Sequence, residues 1–273
     1  MVELAEKRAR FRRLHEAGCF VMPNCFDVGS ARLIQSLGFK ATASSSAGLA
    51  WTLGKADNRI ELDDILSHLT AVCAATDIPV NADFENAFAE DPQGVAENVV
   101  RCAQTGVAAL SVEDHADTAS PVYDKTLSID RVRAARVALN GAAQDVLLVA
   151  RAEGLLGARM GVAEVIDRLV AFADAGADVL FGPGLREADD IAAAVRAVGP
   201  KPLSIIPPPS MTLPEVAELG VRRISVGSGL ARAAYGAVID VARQMAAGSF
   251  AATGGGVSGK AMNDLFGKGV AIT

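Results

Sequence analysis

A short β-rich apolar run, a Gly or Pro, and then a longer stretch of helical period form a unit that recurs about eight times along the chain. No other feature constrains the fold as much. The runs lie at 19–23, 41–45, 79–83, 109–113, 146–151, 179–182, 202–206 and 223–227. The helical stretches lie at 28–37, 61–75, 92–105, 129–139, 162–175, 187–198 and 213–219. Such alternation implies parallel strands joined by helical crossovers. Several stretches end alike, at Leu37-Gly38, Thr105-Gly106, Ala175-Gly176 and Leu219-Gly220, where Gly accepts the left-handed backbone that closes a helix. About eight units in 273 residues, near the roughly 250 typical of a (β/α)8 TIM barrel, favour that closed barrel over an open doubly wound sheet. An open dinucleotide-binding sheet would want G-x-G-x-x-G after its first strand. The chain has Asn24-Cys25-Phe26-Asp27 there, and Asp27 suits a helix N-cap.

The pattern runs uninterrupted to residue 248, so 1–248 is expected to be the barrel domain and 249–273 a Gly-rich connector with a C-terminal helix and tail. Gly254 to Gly256 form the connector, and Met262, Leu265 and Phe266 make an apolar stripe on the helix that follows. The stripe must be buried, either on its own barrel or on a neighbouring subunit.

A net charge of −6 offers no footprint for nucleic acid, and the short basic run from Lys7 to Arg13 reads as the solvated face of a first helix. No apolar run approaches the roughly 18 residues of a membrane span, and the charged start of the chain does not resemble a signal peptide. Cys19, Cys25, Cys73 and Cys102 show no C-x-x-C spacing and read as buried thiols. A cytoplasmic location is the expectation.

Chemistry is expected at the C-terminal ends of the strands, where barrels of this kind carry their sites. In Pro79 to Ala89, PVNADFENAFA, Asp83 and Glu85 stand two apart. Extended backbone would point both carboxylates to one side, and like charges held together call for a cation between them. Magnesium suits an all-oxygen donor set, with manganese as the alternative ion. Ser44, Ser45 and Ser46 end the second run, Glu113 and Asp114 the fourth, and Arg151 with Glu153 the fifth. His115 follows the acidic pair and could serve as acid or base, but a loop histidine is more often a solvated or capping group, and Tyr123 reads as either a gate or loop packing. Gly227-Ser228-Gly229 resembles a phosphate cradle or a device for tight packing.

At these positions the chain resembles the isocitrate lyase and phosphoenolpyruvate mutase superfamily. The resemblance runs from about Phe20 to Ala246. Its most specific parts are Ser44-Ser45-Ser46-Ala47-Gly48 with Leu53-Gly54 and Asp57, Ala82-Asp83-Phe84-Glu85, Val112-Glu113-Asp114, Ala150-Arg151, and Gly220 to Ser228. It implies a magnesium ion on Asp83, with Glu85, Glu113 and Asp57 contributing directly or through water. Ser45, Ser46, Ala47 and Arg151 would hold a 2-oxo acid or enolate, and Ser45, Arg151 and Glu113 would serve catalysis. The chemistry implied is C–C cleavage or decarboxylation of a small carboxylate substrate through a metal-stabilised enolate. Phosphonate P–C chemistry and a catalytically lapsed binding barrel are the alternatives. The resemblance also implies a homo-oligomer, dimer or tetramer, whose C-terminal helix is swapped between subunits.

Departures from the family pattern bear on the activity. The thiol-bearing loop of its lyases is replaced by His115 to Asp124, which has no cysteine. This segment is expected to cover the site. A usual Gly-Tyr-Gly is Ala87-Phe88-Ala89, and a usual Arg-Thr-Asp is Arg151-Ala152-Glu153.

Overall fold

The computed structural model describes residues 2–116, 121–142, 145–157 and 159–268. Nine short strands form one parallel sheet: β1 (Phe20–Met22), β2 (Asn24–Cys25), β3 (Thr42–Ser44), β4 (Val80–Asp83), β5 (Ala109–Glu113), β6 (Leu147–Arg151), β7 (Val179–Phe181), β8 (Leu203–Ile205) and β9 (Arg223–Ser225). Their order is β1-β9-β8-β7-β6-β5-β4-β3-β2. β1 and β2 are two pieces of one run, divided at Pro23, which has no N–H to give to a ladder. β1 pairs with β9, Phe20 opposite Arg223, and β2 pairs with β3, Asn24 opposite Ala43. One run therefore reaches both edges of the sheet and closes the ring, giving the expected TIM barrel. The Pro23 carbonyl still accepts from Ala43 N at 3.0 Å and Thr42 Oγ1 at 2.8 Å.

Helices surround the ring: α1 (Leu4–Leu14), α2 (Val28–Ser36), α3 (Ser46–Thr52), α4 (Leu62–Ala75), α5 (Pro92–Gln104), α6 (Lys125–Gly141), α7 (Val162–Asp174), α8 (Ala188–Val198), α9 (Leu213–Glu218), α10 (Gly229–Ala246) and α11 (Gly259–Lys268). Asp27 caps α2 as expected, accepting from Ser30 N at 2.6 Å. Gly38, Gly106, Gly176 and Gly220 all have positive φ. Val95, Val99, Cys102 and Ala103 form the buried stripe of α5 at helical spacing. The strands alternate with period two. Leu148 and Ala150 join the core beneath the helices, whereas Leu147 and Val149 join a smaller core inside the barrel with Met22, Ala43, Val179 and Phe181. The same parity turns Asn81 and Asp83, Ser111 and Glu113, Arg151, and Arg223 and Ser225 toward the interior.

The basic run on α1 is solvated only in part: Arg10, Arg12 and Arg13 are exposed, as its sequence suggests. Lys7 and Arg8 are buried, and Phe11 is fully so. Phe11, His15 and Phe20 meet edge to face, with ring centroids 4.8 to 6.2 Å apart, and close the barrel floor. Lys7 Nζ donates to the carbonyls of Cys73, at 3.0 Å, and of Thr76. Arg8 donates from Nε to Val107 O at 3.1 Å and from Nη2 to Ala103 O at 2.9 Å. Both cations thus satisfy carbonyls at the ends of α4 and α5, where helices leave acceptors without intrahelical partners.

The C-terminal stripe finds cover on its own chain. Leu265 is buried, the Arg32 guanidinium lies 5.4 Å from the Phe266 ring centroid, and Arg32 Nη2 donates to Phe266 O at 2.9 Å. The uncovered helix is α10, in which Ala231 alone is buried. Leu230, Tyr235, Val238, Ile239 and Met245 are exposed along it. No helix among the described residues is long and apolar enough to cross a membrane.

Replacing Arg8 by Ala should lower unfolding stability by about 2–3 kcal/mol in urea titration, because two buried carbonyls lose charged donors. Arg10→Ala, on the exposed face, should change it by less than about 0.5 kcal/mol. Equal effects would contradict a structural role for the buried Arg8.

Candidate functional site

Arg151, the last residue of β6, lies at the centre of the mouth. Its Nη1 is 2.8 Å from Asp83 Oδ1 on β4 and 2.8 Å from Glu113 Oε1 on β5. Its Nε donates to Glu153 Oε1, and its guanidinium lies 4.9 Å from the Phe181 ring centroid. Burial works against the arginine's charge, but these three acids raise its pKa above the usual range. Asp83 Oδ2 also accepts from the backbone N, at 3.0 Å, and Oγ, at 3.1 Å, of Ser46. Burial raises the Asp83 pKa, and Arg151 opposes that shift.

Beside this group stands His115, buried and far from the solvated histidine expected. Its Nε2 is 3.0 Å from Glu113 Oε2 and 3.8 Å from Glu153 Oε2. Burial opposes the charge on Glu113, yet Arg151 and His115 hold its pKa below the usual carboxylate range. Glu153 is shifted upward, chiefly by burial and then by the Glu113 charge. Asp114 points away from the cavity, accepting from Glu153 N at 2.8 Å and from Arg168 Nη1 at 3.3 Å, and so fixes Glu153 from behind.

Glu85 completes the acidic wall. It is buried, and its Oε1 has no hydrogen-bond partner. Burial, followed by the charges of Glu113, Asp83 and Asp57, pushes its pKa up to about 8, while a hydrogen bond with Asn58 opposes the shift. Asp57 lies at the rim, its surface open to solvent but its carboxyl crowded by neighbouring atoms. That crowding raises its pKa, and Asp83 and Glu113 add to it. The four non-glycine residues of positive φ among those described are Asn58, Glu85, Ala87 and Phe88, all in the two loops beside these acids. Each costs roughly 1 kcal/mol or more. Arg131 braces the second loop from below, donating to the carbonyls of Asn86, Ala89 and Glu90.

A cavity of about 340 Å³ opens over this group. Ser45, Ser46, Ala47, Asp57, Asp83, Glu113 and Arg151 line it, so most of the residues expected from the sequence converge there. Glu85, past the end of β4 and of positive φ, is not among the lining residues. Ser45 is the N-cap of α3, its Oγ accepting from Gly48 N at 3.1 Å. Glu153, His115 and Asn58 also line the cavity but were absent from the expected ligand set. Tyr123 packs the loop: its hydroxyl accepts from Asn86 Nδ2 at 3.0 Å, and the Arg131 guanidinium lies 4.6 Å from its ring centroid. Residues 117–120 of the expected cover lie outside the described residues.

Two groupings could hold a cation. Glu113, His115 and Glu153 offer donor atoms within 4.8 Å of one another. They already satisfy each other and Arg151. The oxygen set of Asp57, Asp83, Glu85 and Glu113 has the donor type a hard divalent ion takes and a buried Glu85 oxygen without a donor, but Asp83 and Glu113 are likewise paired with Arg151 and the set does not close within that distance.

Known proteins carry the same arrangement of chain. Residues 11–246 match the family described as phosphoenolpyruvate phosphomutase. A candidate lyase/mutase from Burkholderia cenocepacia J2315 has 41% sequence identity and a TM-score of 0.91, with 96% of each chain covered. An oxaloacetate acetylhydrolase solved with the product oxalate has 27% identity and a TM-score of 0.86, covering 96% of this chain and 94% of that one. An oxaloacetate decarboxylase of Pseudomonas paraeruginosa is 29% identical over 252 residues, 88% of this chain and 85% of its own.

Glu85 makes metal-free stability depend on pH. Its folded pKa of about 8 exceeds the ordinary 4.5 expected of the unfolded chain, so the folded state alone keeps the proton between those values. The contribution is full below about 4.5 and is lost as pH rises to about 8. In EDTA, the wild-type urea midpoint should therefore fall across this window, and Glu85→Gln should make the fall shallower. Parallel profiles would contradict the shift.

Proposed function

Because the chain belongs to the phosphoenolpyruvate phosphomutase family, we propose that it is a Mg2+-dependent enzyme that cleaves a C–C bond of, or decarboxylates, a small 2-oxo acid. The observation that carries this reading is the buried, partnerless Glu85 oxygen within a wall of acids at the barrel mouth. Asp83, Glu113, Glu85 and Asp57 would hold the ion directly or through water, and Mn2+ could replace it. When bound, the ion polarises the 2-oxo group and stabilises the negative charge that develops as the bond breaks.

The remaining work falls to the chain's own groups. Ser45, Ser46 and Ala47 would position the substrate against one wall of the cavity. Arg151 carries a charge already matched by acids on β4, on β5 and just beyond β6, so it holds the acidic side chains in place rather than receiving a carboxylate. Segment 115–124 supplies no thiol for returning a proton to the cleaved carbon. His115 Nε2, between Glu113 and Glu153 and facing the cavity, would store that proton. The upward shift of Glu153 favours keeping a proton in this pair near neutral pH.

A P–C reading has the family description in its favour. The two reactions separate by product: pyruvate from oxaloacetate supports cleavage or decarboxylation, and a phosphonate from phosphoenolpyruvate supports the other. Screening 2-oxo acids with coupled pyruvate detection should show turnover with Mg2+ and none with EDTA. Turnover unaffected by EDTA would contradict a metal role, and no turnover of any panel member would favour a lapsed barrel. Asp83→Asn should weaken Mg2+ binding by calorimetry at least about tenfold, since the ion loses a charged oxygen.

The uncovered face of α10 supports a homo-oligomer in which this helix lies on a second copy. Burial of apolar surface contributes about 25 cal/mol per Å², and an isolated chain would leave Val238 and Ile239 in water. Light scattering should report a dimer or tetramer, and Val238→Glu with Ile239→Glu should dissociate it. A monomeric wild type would contradict the oligomer.

A further inference from the structure

The barrel interior holds a second arginine, and no acid answers its charge. Arg223 opens β9 and is 1% exposed. Its partners are neutral: Nε donates to Ser204 Oγ at 3.0 Å and Nη1 to Asn81 Oδ1 at 3.1 Å, with the Phe181 ring centroid 5.9 Å from the guanidinium. Among the described residues no carboxylate pairs with it. His15, beneath it on the barrel floor, is no counter-ion either, since an imidazole is neutral or cationic. Burial, and then Arg223 itself, push the His15 pKa down to about 3, and its Nδ1 already faces Phe11 O at 2.8 Å. Burial and the Arg151 charge likewise pull the Arg223 pKa down to about 9, which leaves it cationic at neutral pH.

A buried cation with neutral partners alone is costly, and an anion offsets that cost. Space for one exists. Arg223 lines the same cavity as the acidic wall, together with Ala43, Asn81, Ser111 and Ser225. Barrels of this kind are ordinarily filled by layers of bulky branched side chains. Here Asn81, Ser111 and Ser225, with Ala43 of the smaller inner core, stand between that apolar core and the mouth and leave room beside Met22, Phe181 and Ile206. Arg223 stands two residues before the end of β9, about 7 Å deeper than the strand end at the rise of extended backbone. Ser225, at that end, lines the cavity too. The contrast with Arg151 is direct, since Arg151 already has three carboxylates.

We propose that Arg223 receives the distal carboxylate of an elongated 2-oxo dicarboxylate, which enters the barrel interior while its 2-oxo end stays at the acidic wall. The proposal rests on the 2-oxo acid reading above. It adds a second anchor and sets a length: a diacid longer than oxaloacetate reaches Arg223, and a monoacid leaves it unmatched. Oxalate, which spans the metal end alone, does not engage it.

Calorimetry on the intact chain tests the assignment with matched pairs: 2-oxoglutarate against 2-oxovalerate, and 2-oxoadipate against 2-oxocaproate. Oxaloacetate serves as the short diacid and oxalate as the probe of the metal end. Each is titrated with Mg2+ and again with EDTA. The wild type should bind the better-fitting long diacid roughly 10- to 100-fold more tightly than its monoacid partner, the effect of a charged hydrogen bond. Arg223→Met should abolish that preference and keep oxalate affinity within about twofold, whereas Arg223→Lys should retain part of the preference. Thermal melting by circular dichroism checks that the variants fold. Equal binding of diacid and monoacid by the wild type, which needs no variant, would overturn the proposal. So would a preference that survives in folded Arg223→Met. Oxalate binding that ignores Mg2+ would sink the metal reading instead, and the diacid preference measured in EDTA would still decide the role of Arg223.

Discussion

One buried guanidinium holds the barrel mouth together. Arg151 joins Asp83 on β4, Glu113 on β5 and Glu153 just beyond its own strand. Carboxylates so close and so buried would otherwise repel or take up protons. The barrel makes this meeting possible because strand parity turns alternate residues inward, so the last residues of three neighbouring strands converge. An unpaired Arg151 would be a buried charge without compensation, and unpaired acids would lose the charge a hard cation needs. Arg151 leaves Glu85 and Asp57 outside its bonds.

The backbone around these acids is strained. Three left-handed residues, Glu85, Ala87 and Phe88, follow β4, and a fourth, Asn58, accompanies Asp57. Such backbone persists only where its surroundings hold it. Arg131 supplies the hold by gathering three carbonyls of the loop. Buried cations recur as structural devices elsewhere: Lys7 and Arg8 close helix ends at the floor, and Arg168 fixes Asp114 behind Glu153. Arg223 differs from all of these in facing an open cavity.

Most of the fold is legible in the sequence because its signals are local. Period-two runs, helical stretches and glycines after helices each depend on residues close in the chain. The division of the first strand follows from Pro23, yet its consequence, one run bridging β9 and β3, depends on partners some 200 and 20 residues away. α3 escapes a periodicity reading because it has only 7 residues and begins inside a run of serines. The acids at strand ends are visible as Asp83, Glu85 and Glu113, and the resemblance adds Asp57. His115 and Glu153 were visible as residues, but their burial against one another is set by the β5 and β6 register, Glu113 opposite Arg151. Lys7, Arg8 and Arg223 defeat composition arguments for one reason: a cation looks solvated until distant carbonyls or a barrel wall surround it. The C-terminal stripe also needed a tertiary answer, since only the approach of α11 to α2 shows which surface covers Leu265.

The proposed cation site rests on buried acids whose protons are held first by burial and then by mutual repulsion. Proton release on Mg2+ binding measures this directly, by calorimetry at pH 7 in buffers of different ionisation enthalpy. With Glu85 titrating at about 8 before the ion arrives, close to one proton should leave per ion bound. Glu85→Gln should abolish most of that release. Binding with no proton release, or no binding of Mg2+ or Mn2+ at millimolar concentration, would contradict the claim.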